Sequence, residues 1–565
     1  MNLRKFGTIV MSSCMSLAMA AMPALAAEPN ANANRNDANY NITINNNNAG
    51  HTYEAYKLME GDLHTVDGAL MLTNIEWADG IVPTKLQAPY NGMTAKAVAK
   101  ELAGNAVQNV ASNEAAKFAQ QVVKDDALGT VARTTNVQTN GKYVLDNLTP
   151  GYYLVRDKKD SLKGKYDADT TFILRVVGST EATPKSDVPS VTKKVEDMND
   201  TTDSAFRASL DATWADTADY DIGDEIPYLL TATMPSDEDK EVDKVKPFSA
   251  YTTYSLTYHD TVANGISVAD VTDADVYIND EKLTEEQKTA IGFAVEKTAK
   301  GVDFKIVDIK KATKTVGGKA EQMVKAGDQV KVIYKAKLTD QAVFGNAKNG
   351  NKGNDNTVYL EYRNNPNADG SGDTGNTPED TVRVFTYLIN VTKVTPAPTE
   401  EDENATAPLA GAEFKLEKKL ANGDFKTIVE SIALKADSAN VFEMKGLDDG
   451  TYRITETRTP KGYNSIKPIT FTVNATHSAD PATLEVTDFN VSGVTQEAMI
   501  GDTTNDVPTF TATKNNGLVA TTIKNEKGLV LPITGDIGTT LFYLAGIALI
   551  GGAAVYFKRK KSQLN

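Results

Sequence analysis

The sequence predicts a mainly β protein of tandem immunoglobulin-like sandwich domains, and three observations carry that expectation. Strand-like runs rich in β-branched and aromatic residues recur between residues 40 and 527, separated by Gly, Asn, Asp and Pro turns, as sandwiches require. Helical spacing, with apolar residues at i, i+3 and i+4, is confined to one Ala-rich insertion from Thr94 to Val123. The one cysteine, Cys14, lies in a hydrophobic amino-terminal segment, so the folded part must hold together without disulfides.

Residues 1–26 read as a secretory signal peptide. Arg4 and Lys5 precede an apolar stretch to about Leu25, and Ala24-Leu25-Ala26 is a small-residue cleavage site. The apolar stretch continues well past Cys14, which argues against lipoprotein modification. Extracellular domains usually rely on disulfides. An exported chain without cysteine needs another device.

Residues 27–185 form the first expected domain, in which an Asn-rich leader precedes the runs YNITI, YVLDN, YYLVRD and TFILRVV and the helical insertion. Residues 186–384 form the second, with IPYLLTATM, YTTYSLTYHDTV, QVKVIYKAKL and NTVYLEYR. Its Gly/Asn-rich stretches at 345–356 and 364–376 read as exposed loops. Residues 385–530 form the third, with LINVTKV, AEFKLEKK, TYRITET, ITFTVNA and VATTIKN. Residues 531–565 open with Leu531-Pro532-Ile533-Thr534-Gly535, continue with an apolar run from Ile537 to Phe557 and end on Lys558-Arg559-Lys560-Lys561. That run approaches the roughly 20 residues a helix needs to cross a bilayer. The cationic cluster behind it would stay on the cytoplasmic side.

Composition narrows the function classes. A formal net charge of −16 argues against nucleic acid as a partner. The four histidines, His51, His64, His259 and His477, are scattered, with no metal-ligand spacing. No nucleophile elbow, zinc-protease helix, P-loop or dinucleotide fingerprint occurs in a supporting context. No cofactor, metal or conventional enzyme activity is expected.

An internal similarity links the first and third domains. Leu148-x-x-Gly151-x-Tyr153-x-Val155-x-Asp157 aligns with Leu447-x-x-Gly450-x-Tyr452-x-Ile454-x-Glu456. Strand alternation puts Tyr, aliphatic residue and acid on one face. An acid on an apolar face needs an explanation, which for Asp157 is either a solvated strand end or the chemistry that surrounds Glu456.

Glu456 lies in Tyr452-Arg453-Ile454-Thr455-Glu456-Thr457-Arg458-Thr459-Pro460-Lys461-Gly462-Tyr463. This string closely resembles the E-box (YxLxETxAPxGY) of the major, or backbone, pilins of sortase-assembled Gram-positive pili, with Ile for Leu and Thr for Ala. The order of LPxTG, apolar span and basic tail resembles the signal that sortase cleaves between Thr534 and Gly535. The resemblance implies immunoglobulin-like domains of the CnaB, CnaA and CnaB types, in that order, cross-linked internally by Lys-Asn isopeptide bonds. Such a bond needs a neutral lysine amine, which burial favours, and a buried acid beside the Asn to carry protons. In the third domain the implied set is Lys393, Asn525 and Glu456. In the second it is Lys193, with Lys194 open as an alternative; Asn364 in Tyr362-Arg363-Asn364-Asn365-Pro366; and Asp224, with Asp260 as the alternative acid. The first domain has no lysine aligned with Lys393, and no bond is expected there.

The family's pilin motif, WxxxVxVYPK, is matched only in part by the segment from Phe172 to Pro184-Lys185, which lacks the Trp and the Tyr. Lys185 is nonetheless the implied acceptor of the Thr534 acyl group. The expected partners are pilus-specific and housekeeping sortases, further copies of the chain, minor pilins, peptidoglycan and a host surface or glycan. A monomeric LPxTG adhesin or a minor pilin is the alternative.

Overall fold

The computed structural model describes residues 39–66, 69–104, 114–183, 187–201, 208–237, 247–346, 353–366, 374–478, 483–496 and 507–528, with short pieces at 549–550 and 552–553. The expected signal peptide, Lys185, the motif at 531–535 and nearly all of the expected sorting span lie outside these residues. Among the described residues no helix is long and apolar enough to cross a membrane.

The described chain is mainly β and has three hydrophobic cores, each sealed between two sheets. The first unit runs β1 (Tyr40–Asn45), β2 (Tyr53–Val66), α1 (Ala95–Gly104), α2 (Glu114–Lys124), β3 (Lys142–Leu148), β4 (Gly151–Asp157), β5 (Thr171–Val176) and β6 (Thr180–Ala182). β3, β1 and β6 share one sheet; β2, β4 and β5 share the other. The Ala-rich insertion read as one helical stretch is two helices. Thr94 caps the first, its Oγ1 accepting from the Ala97 amide at 3.3 Å. Val98, Leu102, Phe118 and Val122 are the faces that the pair buries in the core.

The second unit contains β7 (Ser190–Glu196), β8 (Glu225–Thr233), β9 (Leu256–Val262), β10 (Gly301–Ile306), β11 (Gln329–Leu338), β12 (Asn354–Arg363) and β13 (Asp380–Phe385). β7, β8 and β11 are consecutive in one seven-stranded sheet, and β13, β12, β9 and β10 in the other. β9 and β10 run so close that a Cβ on Gly301 would sit 1.8 Å from the Asp260 carbonyl oxygen, so this position accepts only glycine.

The third unit contains β14 (Tyr387–Pro396), β15 (Glu413–Lys419), β16 (Val441–Leu447), β17 (Gly450–Arg458), β18 (Ile469–His477) and β19 (Leu518–Lys524). Its opening and closing strands, β14 and β19, pair in parallel with Lys393 opposite Ile523. The first unit repeats the arrangement, with β1 parallel to β6 and Ile42 opposite Thr180. In both units the strand bearing the aligned acid, β4 or β17, lies inside the facing sheet.

Candidate functional site

In β14 the buried positions alternate through Tyr387, Ile389, Val391 and Lys393, so the lysine occupies a core-facing place that an aliphatic residue would ordinarily fill. Its Nζ donates to Asn525 Oδ1, lies 3.5 Å from Glu456 Oε1 and sits 5.8 Å from the centre of the Phe414 ring. Asn525, just past β19, is held by its own amide, which donates to the Val394 carbonyl at 3.0 Å. Its Nδ2 donates to both Glu456 oxygens, at 2.9 and 3.2 Å. Glu456 Oε2 also accepts from Thr459 Oγ1 at 3.0 Å and from the Ile466 amide at 3.2 Å. Burial pulls the Lys393 ammonium down to about 8 against the attraction of Glu456. The structure thus brings Lys393, Asn525 and Glu456 together. A buried amine faces the oxygen of a carboxamide whose nitrogen donates to a carboxylate.

The second unit holds a comparable constellation, with a different membership from the one expected. Alternation in β7 turns Lys193 fully inward, while Lys194 is partly exposed and pairs with Asp216 at 2.5 Å. Lys193 Nζ donates to Asp260 Oδ2 and to Tyr334 Oη at 3.3 Å, flanked by the rings of Tyr228 and Tyr334 at 4.8 and 5.3 Å. Tyr334 donates to Asp260 Oδ1 at 2.9 Å and accepts from Asn356 Nδ2 at 2.7 Å. Asn356 is wholly buried, and its Oδ1 has no hydrogen-bond partner among the described residues. Burial lowers the pKa of Lys193 and raises that of Asp260, which moves both groups toward their neutral forms.

Two expected residues are elsewhere. Asn364 follows the end of β12 and faces the first unit, its Nδ2 donating to the Leu162 carbonyl at 3.2 Å. Asp224 is in the turn before β8, where its Oδ2 accepts from the Asp221 amide at 3.2 Å. Burial first, then Asp221 and Asp200, push its carboxyl up to about 6. Neither touches Lys193. A signal for Asn356 was available: extending the inward alternation of Tyr362, Leu360 and Val358 two residues back reaches it. The Gly/Asn-rich composition of 345–356 had assigned it to a loop.

In the first unit Asp157 is buried rather than solvated, and its partner is an imidazole. His51 Nδ1 lies 2.7 Å from Asp157 Oδ1 and Nε2 lies 2.9 Å from Asp167 Oδ2. Asp157 Oδ2 also accepts from the Thr170 amide and hydroxyl, at 2.8 and 2.9 Å. Burial opposes the charge on His51, but the hydrogen bonds to Asp157 and Asp167 outweigh it and raise the imidazolium to about 10. Raised above the ordinary value of about 6.5, this pKa gives stability that is complete below pH ~6.5 and is lost as pH rises through ~10. Thermal melts of His51→Gln and the unchanged chain should therefore differ most near pH ~6 and converge above pH ~10.

Lys185, Thr534 and Gly535 lie outside the described residues. Flanking Lys185, Ala182 ends β6 and Asp187 is fixed by accepting from the Ser236 amide at 2.6 Å, so the segment joins the first and second units.

Comparison with known proteins adds a second line. Residues 398–488 match the SpaA prealbumin-like fold domain, and residues 523–563 match the LPXTG cell wall anchor motif. The trypsin-resistant surface T6 protein of Streptococcus pyogenes serotype M6 is 26% identical over 436 residues, spanning 67% of this chain and 70% of that protein. Among solved structures, the T6 backbone pilin of the same serotype is similar at a TM-score of 0.48 and 18% identity, covering 87% of this chain and 99% of that one. The major pilin SpaD of Corynebacterium diphtheriae is similar at a TM-score of 0.43 and 15% identity, covering 87% and 98%.

Proposed function

We infer that this chain is a backbone pilin of sortase-assembled Gram-positive pili, a cell-wall-anchored surface protein whose copies form the shaft. One observation carries the reading. The unit next to the LPXTG anchor joins its opening and closing strands through a buried amine, carboxamide and acid. A covalent bond at that junction would keep the opening and closing strands of a fibre subunit from being pulled apart under tension, a role no disulfide fills in this chain.

In the proposed chemistry, neutral Lys393 Nζ attacks Asn525 Cγ, the new C–N bond forms, and the Asn525 amide nitrogen leaves as ammonia. Glu456 transfers the proton from the attacking amine to the leaving nitrogen. Lys193, Asn356 and Asp260 perform the same exchange in the second unit, and the Tyr334 hydroxyl orients all three. The two outer units resemble the CnaB type and the middle one the CnaA type. The first unit relies on the His51 ion network instead. Sortase then cleaves Thr534 from Gly535 and passes the acyl group to Lys185 of the next subunit, and the last subunit goes to peptidoglycan. Minor pilins and a host surface or glycan are the remaining partners, and the role is structural rather than enzymatic.

Surface extracts run on a denaturing gel test the whole reading. A ladder of covalent multimers is expected, and a single monomeric band would favour the solitary adhesin. Within the second unit, Asn356→Ala should leave the chain about 17 Da heavier than a cross-linked chain of the same sequence, one retained ammonia. Asn364→Ala should leave the cross-link intact. The reverse pattern in intact-mass spectra would restore Asn364 as acceptor.

A further inference from the structure

The two proposed cross-linking sites present their acids to the carboxamide differently. In the third unit the Glu456 carboxylate accepts from Asn525 Nδ2 itself, at 2.9 and 3.2 Å. The second unit has an aspartate, shorter by one methylene, whose Oδ2 accepts from Lys193 Nζ and whose Oδ1 accepts from the Tyr334 hydroxyl at 2.9 Å. Asn356 Nδ2 donates at 2.7 Å to Tyr334 Oη. A phenol occupies the place that a carboxylate holds in the third unit.

That phenol is held on both sides. Alternation along β11 turns Tyr334 into the core opposite Tyr228 of β8, with the two rings stacked 5.4 Å apart, and Phe304 of β10 closes on it from the facing sheet at 4.8 Å. Its oxygen donates to Asp260 and accepts from Asn356 and, at 3.3 Å, from Lys193. One donor and two acceptor sites are all that a hydroxyl offers. Each is directed at a group that the cross-linking reaction would change. The neighbouring Tyr228 hydroxyl is equally buried and makes no hydrogen bond among the described residues, though Asn356 lies near it.

We propose that Tyr334 is a catalytic residue of the second unit, its hydroxyl relaying the proton from Asp260 to the leaving nitrogen of Asn356. The relay rests on the cross-link between Lys193 and Asn356 inferred above. Neutral Lys193 Nζ attacks Asn356 Cγ and the new C–N bond forms. In that adduct the Asn356 nitrogen has gained a free lone pair, so it accepts a hydrogen bond where it formerly donated one. Tyr334 gives its proton to that nitrogen and is resupplied by the Asp260 carboxyl, which takes the surplus proton of Nζ. The old C–N bond breaks and ammonia leaves, with Tyr334 and Asp260 back in their starting protonation states. Burial holds the Tyr334 hydroxyl protonated until then and moves Lys193 and Asp260 toward their neutral forms. Direct transfer from Asp260, whose carboxyl Asn356 also influences, is the route that the test must separate from this one.

The test follows the mass of the complete chain after cell-free synthesis, with tandem mass spectrometry assigning each loss of about 17 Da to its unit. The third unit, whose acid meets its carboxamide directly, is the internal reference. Tyr334→Phe keeps the ring and removes the hydroxyl, and should slow the second-unit bond by about a hundredfold or more while the third-unit bond keeps its rate. Tyr228→Phe should form both bonds at the unchanged rate. 3-Fluorotyrosine placed at position 334 has nearly the same shape and a more acidic hydroxyl, and should speed the second-unit bond severalfold, which a merely structural role would not do. An unchanged rate in Tyr334→Phe overturns the relay and leaves Asp260 to transfer directly. Equal slowing in Tyr228→Phe, or no gain with fluorotyrosine, reduces Tyr334 to packing and overturns it as well. A second-unit bond that persists in Asn356→Ala, or that the unchanged chain never forms, removes the cross-link itself and the relay with it.

Discussion

Glu456→Gln should leave the third unit uncross-linked. The isolated chain should then weigh about 17 Da more than its cross-linked counterpart of the same sequence, the ammonia that never left. Gln keeps the volume and can still accept one hydrogen bond from Asn525, but it cannot ferry a proton from Lys393 Nζ to the leaving nitrogen. The consequence for stability is large because the bond closes a long loop. Lys393 and Asn525 are 132 residues apart. On the chain-entropy account a cross-link over that span contributes about 5 kcal/mol. A unit of this size should then lose about 15 °C in its thermal midpoint. Lys393→Ala and Asn525→Ala should show the same uncross-linked state, which separates loss of the bond from loss of the carboxylate's contacts to Thr459 and Ile466. The rate of bond formation in freshly folded chain should climb as pH rises through about 8, where the buried Lys393 amine sheds its proton. A cross-linked mass in Glu456→Gln chains would remove Glu456 from the chemistry.

The third-unit triad was legible in the sequence because each member sits in a local pattern: Lys393 in an alternating strand, Glu456 in a motif of twelve residues, Asn525 at the end of the last strand before the anchor. The repeat that aligned Asp157 with Glu456 also identified equivalent strands in two sandwiches. What the pattern could not carry was the partner across the core. His51 comes before β2 and reaches Asp157 only once β4 has paired with β2, Tyr53 opposite Asp157. In the second unit Lys193 and the alternative acid Asp260 were both named from the sequence and lie together, whereas Asn356 was not, for a similar reason. Asp260 and Asn356 converge because β9 and β12 pair with Asp260 opposite Val358, two residues from Asn356, and the facing sheet then brings Lys193 down on them. Register between strands about a hundred residues apart is not written in either strand alone. Polar residues near the strand ends add a further confusion, since Asn364 and Asp224 have the chemistry of a site, but Asn364 reaches the Leu162 carbonyl of the first unit and Asp224 holds the turn before β8.

Lys185→Ala should abolish polymerisation while leaving the subunit folded, exported and anchored. The acyl group that sortase draws from Thr534 needs an unprotonated amine that can enter another protein's active site, so a lysine buried like Lys193 or Lys393 is excluded. Lys185 lies in the short connection between two fixed points, Ala182 on β6 and Asp187, both buried, so the flanking backbone is anchored on either side of it. The intact-mass deficit expected of the two proposed internal cross-links should persist. Multimer ladders should fall to background, with monomer retained on the wall. Lys185→Arg should fail as completely, because a guanidinium stays charged and offers no neutral amine near pH 7. Lys158→Ala and Lys163→Ala, which alter exposed lysines of the same unit, should polymerise normally. Ladders of unchanged intensity in Lys185→Ala cells would move the acceptor to another lysine, and tandem mass spectrometry of the branched Thr534 peptide would name it.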